Sequence, residues 1–292
     1  MLHGIILIWG FTGVLGKLIS VSSDMLVGYR MLIAVISIGL FVSFSTYNFR
    51  IDRKSLIRYL LVGFVIAGHW ITFFESIKVS TVSIALSCMA TASLFTAFLE
   101  PLFFKRKINL IEIVLGAVVV VGLYLIFEFE TAYAYGIVLA LISAFLAALF
   151  TVLNGKLIKK GSAVKISFYE MLGGVIMIAL YFLLTQNFES TDFLLSYSDL
   201  FYLILLGVVC TAFAFVVSVY VMKELSPFTV TMSVNMEPLY AILLALVFFG
   251  DDELMSPGFY LGATIVFLTV LGNAYIKLMQ KRRLKKQEKM MM

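Results

Sequence analysis

Residues 116–127 read GAVVVVGLYLIF, a run with no charged residue. It also lacks the apolar/polar alternation that a lipid-facing barrel strand would show. A helix satisfies its own backbone hydrogen bonds in hydrocarbon, so the run reads as part of a membrane-spanning helix. Crossing a hydrocarbon core of roughly 30 Å takes about 20 apolar residues. Working outward from this run, ten segments meet that requirement: 4–20, 24–46, 56–77, 82–104, 109–127, 134–157, 163–184, 198–220, 226–249 and 256–278.

The composition agrees. Of 292 residues, 62% are hydrophobic and 13% charged, and the mean hydropathy is +1.06. Soluble domains are about 45–50% apolar and about 25% charged. A soluble enzyme, a disordered chain and a disulfide scaffold are therefore excluded. The longest polar gap, 185–198, leaves no room for an inserted soluble domain. The first segment lacks a basic leader and a small-residue cleavage site, so it reads as a span rather than a signal peptide.

Loop charges orient the chain. With a cytoplasmic N-terminus, Arg50, Arg53, Lys54, Arg58, Lys105, Arg106, Lys107, Lys156, Lys159, Lys160, Lys165 and Lys223 all lie inside. The tail adds Lys277, Lys281, Arg282, Arg283, Lys285, Lys286 and Lys289, which places 19 of the 22 basic residues on one side. Lys78 lies outside, among Asp24, Glu128, Glu130, Glu189, Asp192, Asp199, Asp251, Asp252 and Glu253. The expected protein is multi-pass in the cell's inner (plasma) membrane, with both termini cytoplasmic. The basic tail then reads as a topology anchor at the lipid bilayer, and no nucleic-acid partner is expected. Cys88 and Cys210 stand alone in mid-segment and read as small packing residues.

The second half repeats the first. FFKRKINLIEIVLGA (Phe103–Ala117) aligns with FGDDELMSPGFYLGA (Phe249–Ala263) at an offset of 146. Gly16-Lys17-Leu18-Ile19 recurs as Gly155-Lys156-Leu157-Ile158, and Arg30-Met31-Leu32 lines up with Glu170-Met171-Leu172. The fold class expected is an all-α integral membrane protein, with ten transmembrane helices as two inverted five-helix repeats, 1–133 and 134–292. The halves are inverted because five is odd, and such repeats place a substrate site between them near the midplane. In this register Thr91 faces Glu237, while Glu100-Pro101 and Glu237-Pro238 are separate features.

Trp9-Gly10, Tyr29-Arg30-Met31-Leu32, SIKVSTVSIAL (Ser76–Leu86), KELSPFTVTMSVNMEPLYAILLALVFFGDDEL (Lys223–Leu254) and Leu261-Gly262-Ala263 together resemble the EamA-like branch of the drug/metabolite transporter superfamily. The resemblance covers essentially the whole chain. It implies a carrier of small molecules, often an exporter, whose substrates range over amino acids, metabolites, nucleosides and cationic drugs.

Ionisable residues inside spans are costly and mark function by default. Glu237 falls near the middle of segment nine, on a stripe of Ser226, Thr229, Ser233, Glu237 and Tyr240, with Asn235 beside it. Pro238 removes a backbone donor there. A carboxyl at this depth suits proton coupling. His69, Thr72 and Phe73 on segment three, Trp9, Thr91, Asn154 and Thr211 complete the candidate substrate cavity. His69 and Trp9 read equally as packing residues. Lys17, Arg30 and Glu75 lie at similar depth and form a candidate gate of ion pairs. Glu170, the counterpart of Arg30, would pair near the inner mouth with a base such as Lys156. Glu100 would pair with Lys105. Gly258 and Gly262 form a GxxxG that packs inside the fold or joins a homodimer; monomer and homodimer both remain open.

No Walker sequence is present, so the expected function is secondary transport of a small-molecule substrate, driven by a proton or a substrate gradient. No metal site, cofactor or catalytic residue is expected, since no nucleophile–base set or metal-ligand spacing appears. A polytopic enzyme, and a sensor or assembly protein without transport activity, are the alternatives.

Overall fold

A computed structural model describes residues 1–45, 49–107, 110–185 and 194–291. Among them there are helices and no strands. In order they are α1 (Leu2–Leu18), α2 (Ser23–Ser43), α3 (Arg53–Val79), α4 (Val82–Met89), α5 (Ala92–Phe104), α6 (Leu110–Phe129), α7 (Ala134–Leu157), α8 (Ala163–Thr185), α9 (Tyr197–Leu205), α10 (Ala214–Val221), α11 (Pro227–Val234), α12 (Glu237–Phe249) and α13 (Pro257–Met291). A π-helical stretch, Leu206–Phe213, joins α9 to α10.

Six helical stretches are long and apolar enough to cross a membrane: Ser23–Ser43, Arg53–Val79, Val82–Phe104, Thr131–Leu157, Ala163–Thr185 and Tyr197–Val221. Shorter apolar helices occupy Leu2–Leu18, Ala117–Ile126, Tyr240–Phe249 and Pro257–Thr269. The outward faces are apolar. Leu40, Val121, Leu183 and Leu243 are each more than half exposed, an arrangement that suits contact with lipid rather than water.

Short polar residues start the helices. The Asp52 carboxylate accepts the Ser55 amide at 2.9 Å and caps α3. The Ser55 amide and hydroxyl hold this exposed carboxyl below the usual aspartate range. Thr81 caps α4 at Ile84. Ser226 and Ser256 cap α11 and α13, each with Pro at the first helical position, as the Ser-Pro pairs predict. Lys105 ends α5 in the left-handed region, with φ 54°, and Gly250 ends α12 at φ 55°.

The sequence led us to expect continuous spans at 82–104 and 226–249. Both are interrupted by a turn, although Val82–Phe104 still reaches across as one apolar stretch. α4 stops at Met89 and α5 starts at Ala92, while α11 stops at Val234 and α12 starts at Glu237. Pro238 explains the second break, because it offers no N–H to the turn before it. The first has no proline; there Thr91 bonds back to the Cys88 carbonyl at 2.7 Å. The stripe from Ser226 to Tyr240 is accordingly not one helical face. α13 also runs on as one helix through the basic tail to Met291, well past the expected end at 278. Glu189, Asp192, and the side chains of Glu112, Pro238, Asp252, Glu253, Lys277 and residues 280–292 lie outside the described residues.

α3 packs on α7 and α8, and α2 on α8 and the π stretch. α6 packs on α13, α1 on α12, α5 on α7, and α4 on both α7 and α12. Glycines set the closest approaches. A Cβ on Gly63 would lie 2.1 Å from the Glu170 carbonyl oxygen, and one on Gly173 would lie 2.4 Å from that of Leu60. Gly122 and Gly262 meet backbone to backbone between α6 and α13. Gly262 of the GxxxG thus packs within the fold.

Candidate functional site

A cavity of about 110 Å³ lies beside the two helix breaks, lined by Met89 and Ala92 at one and by Val234, Asn235 and Glu237 at the other. Its aromatic wall is Trp9, Trp70, Phe73, Phe150 and Phe215, and its polar groups include Arg30, His69, Thr151, Ser218, Asn235 and Glu237. The broken helices explain two of these. The turn at Asn235–Met236 interrupts the i to i−4 ladder and brings Asn235 and Glu237 to one cavity wall.

Arg30 is 2% exposed. Its Nε donates to Thr211 Oγ1 at 2.5 Å, and its guanidinium carbon lies 3.8 Å from the Trp70 ring centre and 5.5 Å from that of Phe74. Desolvated cation–π contacts of this kind contribute about 2 kcal/mol. The π stretch presents the partner. The Thr211 hydroxyl donates to the carbonyl of Leu206, five residues back, at 2.8 Å, leaving its lone pair to Arg30. The same irregularity turns the Cys210 carbonyl to the Trp9 indole N–H, at 3.0 Å. Arg30 Nη1 remains buried without a hydrogen-bond partner, and so does Asn235 Nδ2. Arg30 and Glu237 line the same cavity, yet no ion pair within 4.0 Å joins them among the described residues.

The other candidates divide. His69 lines the cavity, but its Nδ1 meets the Ser143 hydroxyl at 2.7 Å and carbonyl at 3.0 Å, pinning α3 to α7. Thr72 lies outside the cavity lining and spends its hydroxyl on the Gly68 carbonyl. Thr91 sits at the α4/α5 break, and Tyr240 packs its Cβ against Gly10 of α1. Thr211 holds Arg30 from behind. Asn154 is apart from the cavity and donates to Glu170 Oε2 at 3.3 Å.

The expected ion-pair partners are different ones. Arg30 faces the cavity rather than Glu75, because the Trp70 and Phe74 rings and Thr211 fix it there. Glu75 instead accepts from the Ser23 hydroxyl at 2.7 Å. Lys17 lies over the Phe249 ring, 4.4 Å from its centre. Lys156 does not pair with Glu170; its ammonium bonds the Phe103 carbonyl at 3.1 Å. Glu100 pairs with Arg106 rather than Lys105, at 3.3 Å, and accepts the Phe228 amide at the start of α11, at 2.8 Å. At the α1–α2 turn, Asp199 takes both the amide and the hydroxyl of Ser20, at 2.8 and 2.7 Å, and Lys78 bonds the Val21 carbonyl. Among the described residues no three His, Cys, Asp or Glu side chains gather to hold a metal.

Sequence reasoning missed Trp70, Phe150 and Phe215. An aromatic residue on an apolar helix carries no mark that separates a cavity wall from a lipid-facing ring. For Ser218 and Thr151 the available signal is helical spacing of small and polar residues, at Thr211, Ala214 and Ser218 and at Ser143, Ala147, Thr151 and Asn154.

The chain matches the EamA-like transporter family over residues 1–128 and 134–275. It belongs to that family. The EamA-like protein is 25% identical over 272 residues to an "Uncharacterized transporter YxxF" of Bacillus subtilis (strain 168), covering 89% of this chain and 84% of the relative. A solved crystal structure superposes with a TM-score of 0.69 at 15% identity, covering 96% of each chain, which shows a shared fold. This EamA-like protein is therefore a multi-pass membrane transporter of the drug/metabolite transporter superfamily.

Proposed function

We propose that this transporter exports a small zwitterionic metabolite of amino-acid type, by alternating access between two inverted five-helix halves, with the proton as coupling ion. One observation carries the substrate reading. Arg30 and Glu237 share an aromatic-walled cavity with no ion pair between them, and Arg30 Nη1 and Asn235 Nδ2 lack partners. A buried charge without a partner costs several kcal/mol. A bound carboxylate would satisfy Arg30 and Asn235, and an ammonium on the same molecule would satisfy Glu237. The five rings suit an apolar or aromatic side chain. In the empty cavity Glu237 needs another neutralising charge, and a proton supplies it.

Packing supports the inverted repeat. α3 packs on α7 and α8, and their repeat mates, the stretch α9–α10 and helices α1 and α2, pack likewise. Gly63 approaches the backbone of Glu170, and Gly207 that of Arg30, its mate. With the N-terminus cytoplasmic, the Asp199–Ser20, Glu75–Ser23 and Lys78–Val21 contacts tie the outer side together. The cavity then draws its lining from the inner parts of α7, α10 and α11, which supports loading from the cytoplasm.

A thermal-shift series on the purified protein tests the reading. Leucine and phenylalanine should raise Tm, and their amides and N-acetyl derivatives should not. Equal shifts from the amides would remove the carboxylate–Arg30 contact from the account.

A further inference from the structure

A second polar site lies away from the cavity, between α3, α7 and α8. Glu170 is 0% exposed and Asn154 1%. The Asn154 amide donates to Glu170 Oε2 at 3.3 Å. Two oxygens of the pair, Glu170 Oε1 and Asn154 Oδ1, are buried with no partner. The Ser167 hydroxyl, one turn back on α8, is also buried and unpartnered. Neither Glu170 nor Asn154 lines the substrate cavity.

Among the described residues no cation pairs with this carboxyl. Lys156 of α7 is turned to the Phe103 carbonyl. On α8 itself Lys165 bonds the Arg50 carbonyl, and the Tyr169 hydroxyl bonds that of Phe49. From α3 the Tyr59 hydroxyl faces the site, while Arg58 and Lys54 are exposed. From α2, Met31, Gly28 and Gly39 touch α8 and do not ionise, and Arg30 is held by Thr211 and the Trp70 and Phe74 rings. α10 carries only Tyr220, which is 50% exposed. A carboxylate left this way in a dry interior would be too costly to persist. An acid and an amide, by contrast, join through two hydrogen bonds, N–H to one oxygen and O–H to the other. One proton on Oε1 would give both orphaned oxygens a partner. Turning the amide over does not remove the need, because Oδ1 would then meet Oε2 and require the same proton.

We propose that Glu170, paired with Asn154, is a proton-binding site separate from the substrate cavity, loaded while the α3–α8 seam is closed and emptied when that seam opens. The seam makes the exchange conformational. Gly63 lies directly on the Glu170 backbone and Gly173 on that of Leu60, so parting of α3 from α8 would bring water to Glu170. Tyr59 stands between the site and the α7–α8 turn, where its hydroxyl approaches Gly161, and marks the path to the surface. The coupling role rests on the transport reading above; the protonation itself does not.

Infrared spectroscopy of the purified full chain in nanodiscs tests the protonation without any substrate. The carbonyl stretch of a protonated carboxylic acid should be present in the wild type, and the part due to Glu170 should be lost in Glu170→Gln. The Gln side chain can make both hydrogen bonds to Asn154 without a proton, so this variant should fold and keep its Tm as pH rises, whereas the wild type should lose Tm. A band unchanged by Glu170→Gln overturns the proposal. If that variant does not fold, Asn154→Leu removes the acid's partner and must shift the band; an unshifted band overturns it equally. Stabilisation of the wild type, but not of Glu170→Gln, by sodium at fixed pH would make the site a metal-ion site and overturn it too. In proteoliposomes with an internal pH dye, the protons moved per phenylalanine should fall in Glu170→Gln while phenylalanine flux persists. Equal proton movement in both would overturn the coupling role. Absence of phenylalanine flux in the wild type would count against the transport reading alone.

Discussion

Arg30 is the residue on which the cavity is built. Thr211 binds its Nε, two rings cover its face, and Nη1 is left for a ligand. A lysine could supply the charge but not this division of labour, because an ammonium has no planar fork. Arg30→Lys should therefore fold and bind poorly. Losing one partner of a buried charge pair costs about 2–5 kcal/mol, which corresponds to roughly 30-fold or more in affinity. Titration of zwitterion binding by tryptophan fluorescence checks this, since Trp9 and Trp70 both line the cavity. Glu237→Gln should keep carboxylate recognition and lose selectivity for the ammonium. Undiminished binding by Arg30→Lys would show that charge alone suffices.

At the scale of elements, three irregular stretches make the site: the breaks at 90–91 and 235–236 and the π turns of Leu206–Phe213. Pro238 made one of them legible. The other two lack such a mark: Ala90-Thr91 has no proline or glycine, and the weak helix formers Gly207, Val208, Val209 and Thr211 of the π stretch are common throughout the spans. Glu237 and Asn235 were accordingly readable as cavity-lining candidates. Arg30 was readable as important but was assigned to a gate, since spacing along α2 cannot reveal Thr211, 181 positions away. The glycine seams are similar. Gly63 and Gly173 look like scattered small residues, yet both touch backbone across α3 and α8. Gly63→Ala or Gly173→Ala should lower Tm, by an overpacking cost of about 1–3 kcal/mol. Gly4→Ala, which meets nothing within 4 Å on α1, should not lower Tm. A Gly63→Ala protein as stable as the wild type would contradict the tight seam.

For the whole molecule, charge and hydropathy made the membrane class legible, because lipid tolerates few residues that water prefers. The proposed repeat rests on faint sequence matches, since inverted halves need share packing rather than residues. Topology is directly testable. With both termini inside, single cysteines at Ser22 and Lys78 should react with an impermeant thiol reagent on intact cells, and one at Lys159 only after lysis. Labelling of the Lys159 site on intact cells would invert the arrangement.

Counterflow in proteoliposomes tests the central claim, that Arg30 and Glu237 together select a zwitterion for transport. Vesicles preloaded with unlabelled phenylalanine should accumulate labelled phenylalanine through the wild-type protein, and not through Arg30→Ala. Preloading with phenylalanine amide or N-acetylphenylalanine should give no accumulation. Equal counterflow from the amide, or undiminished counterflow through Arg30→Ala, would contradict the account.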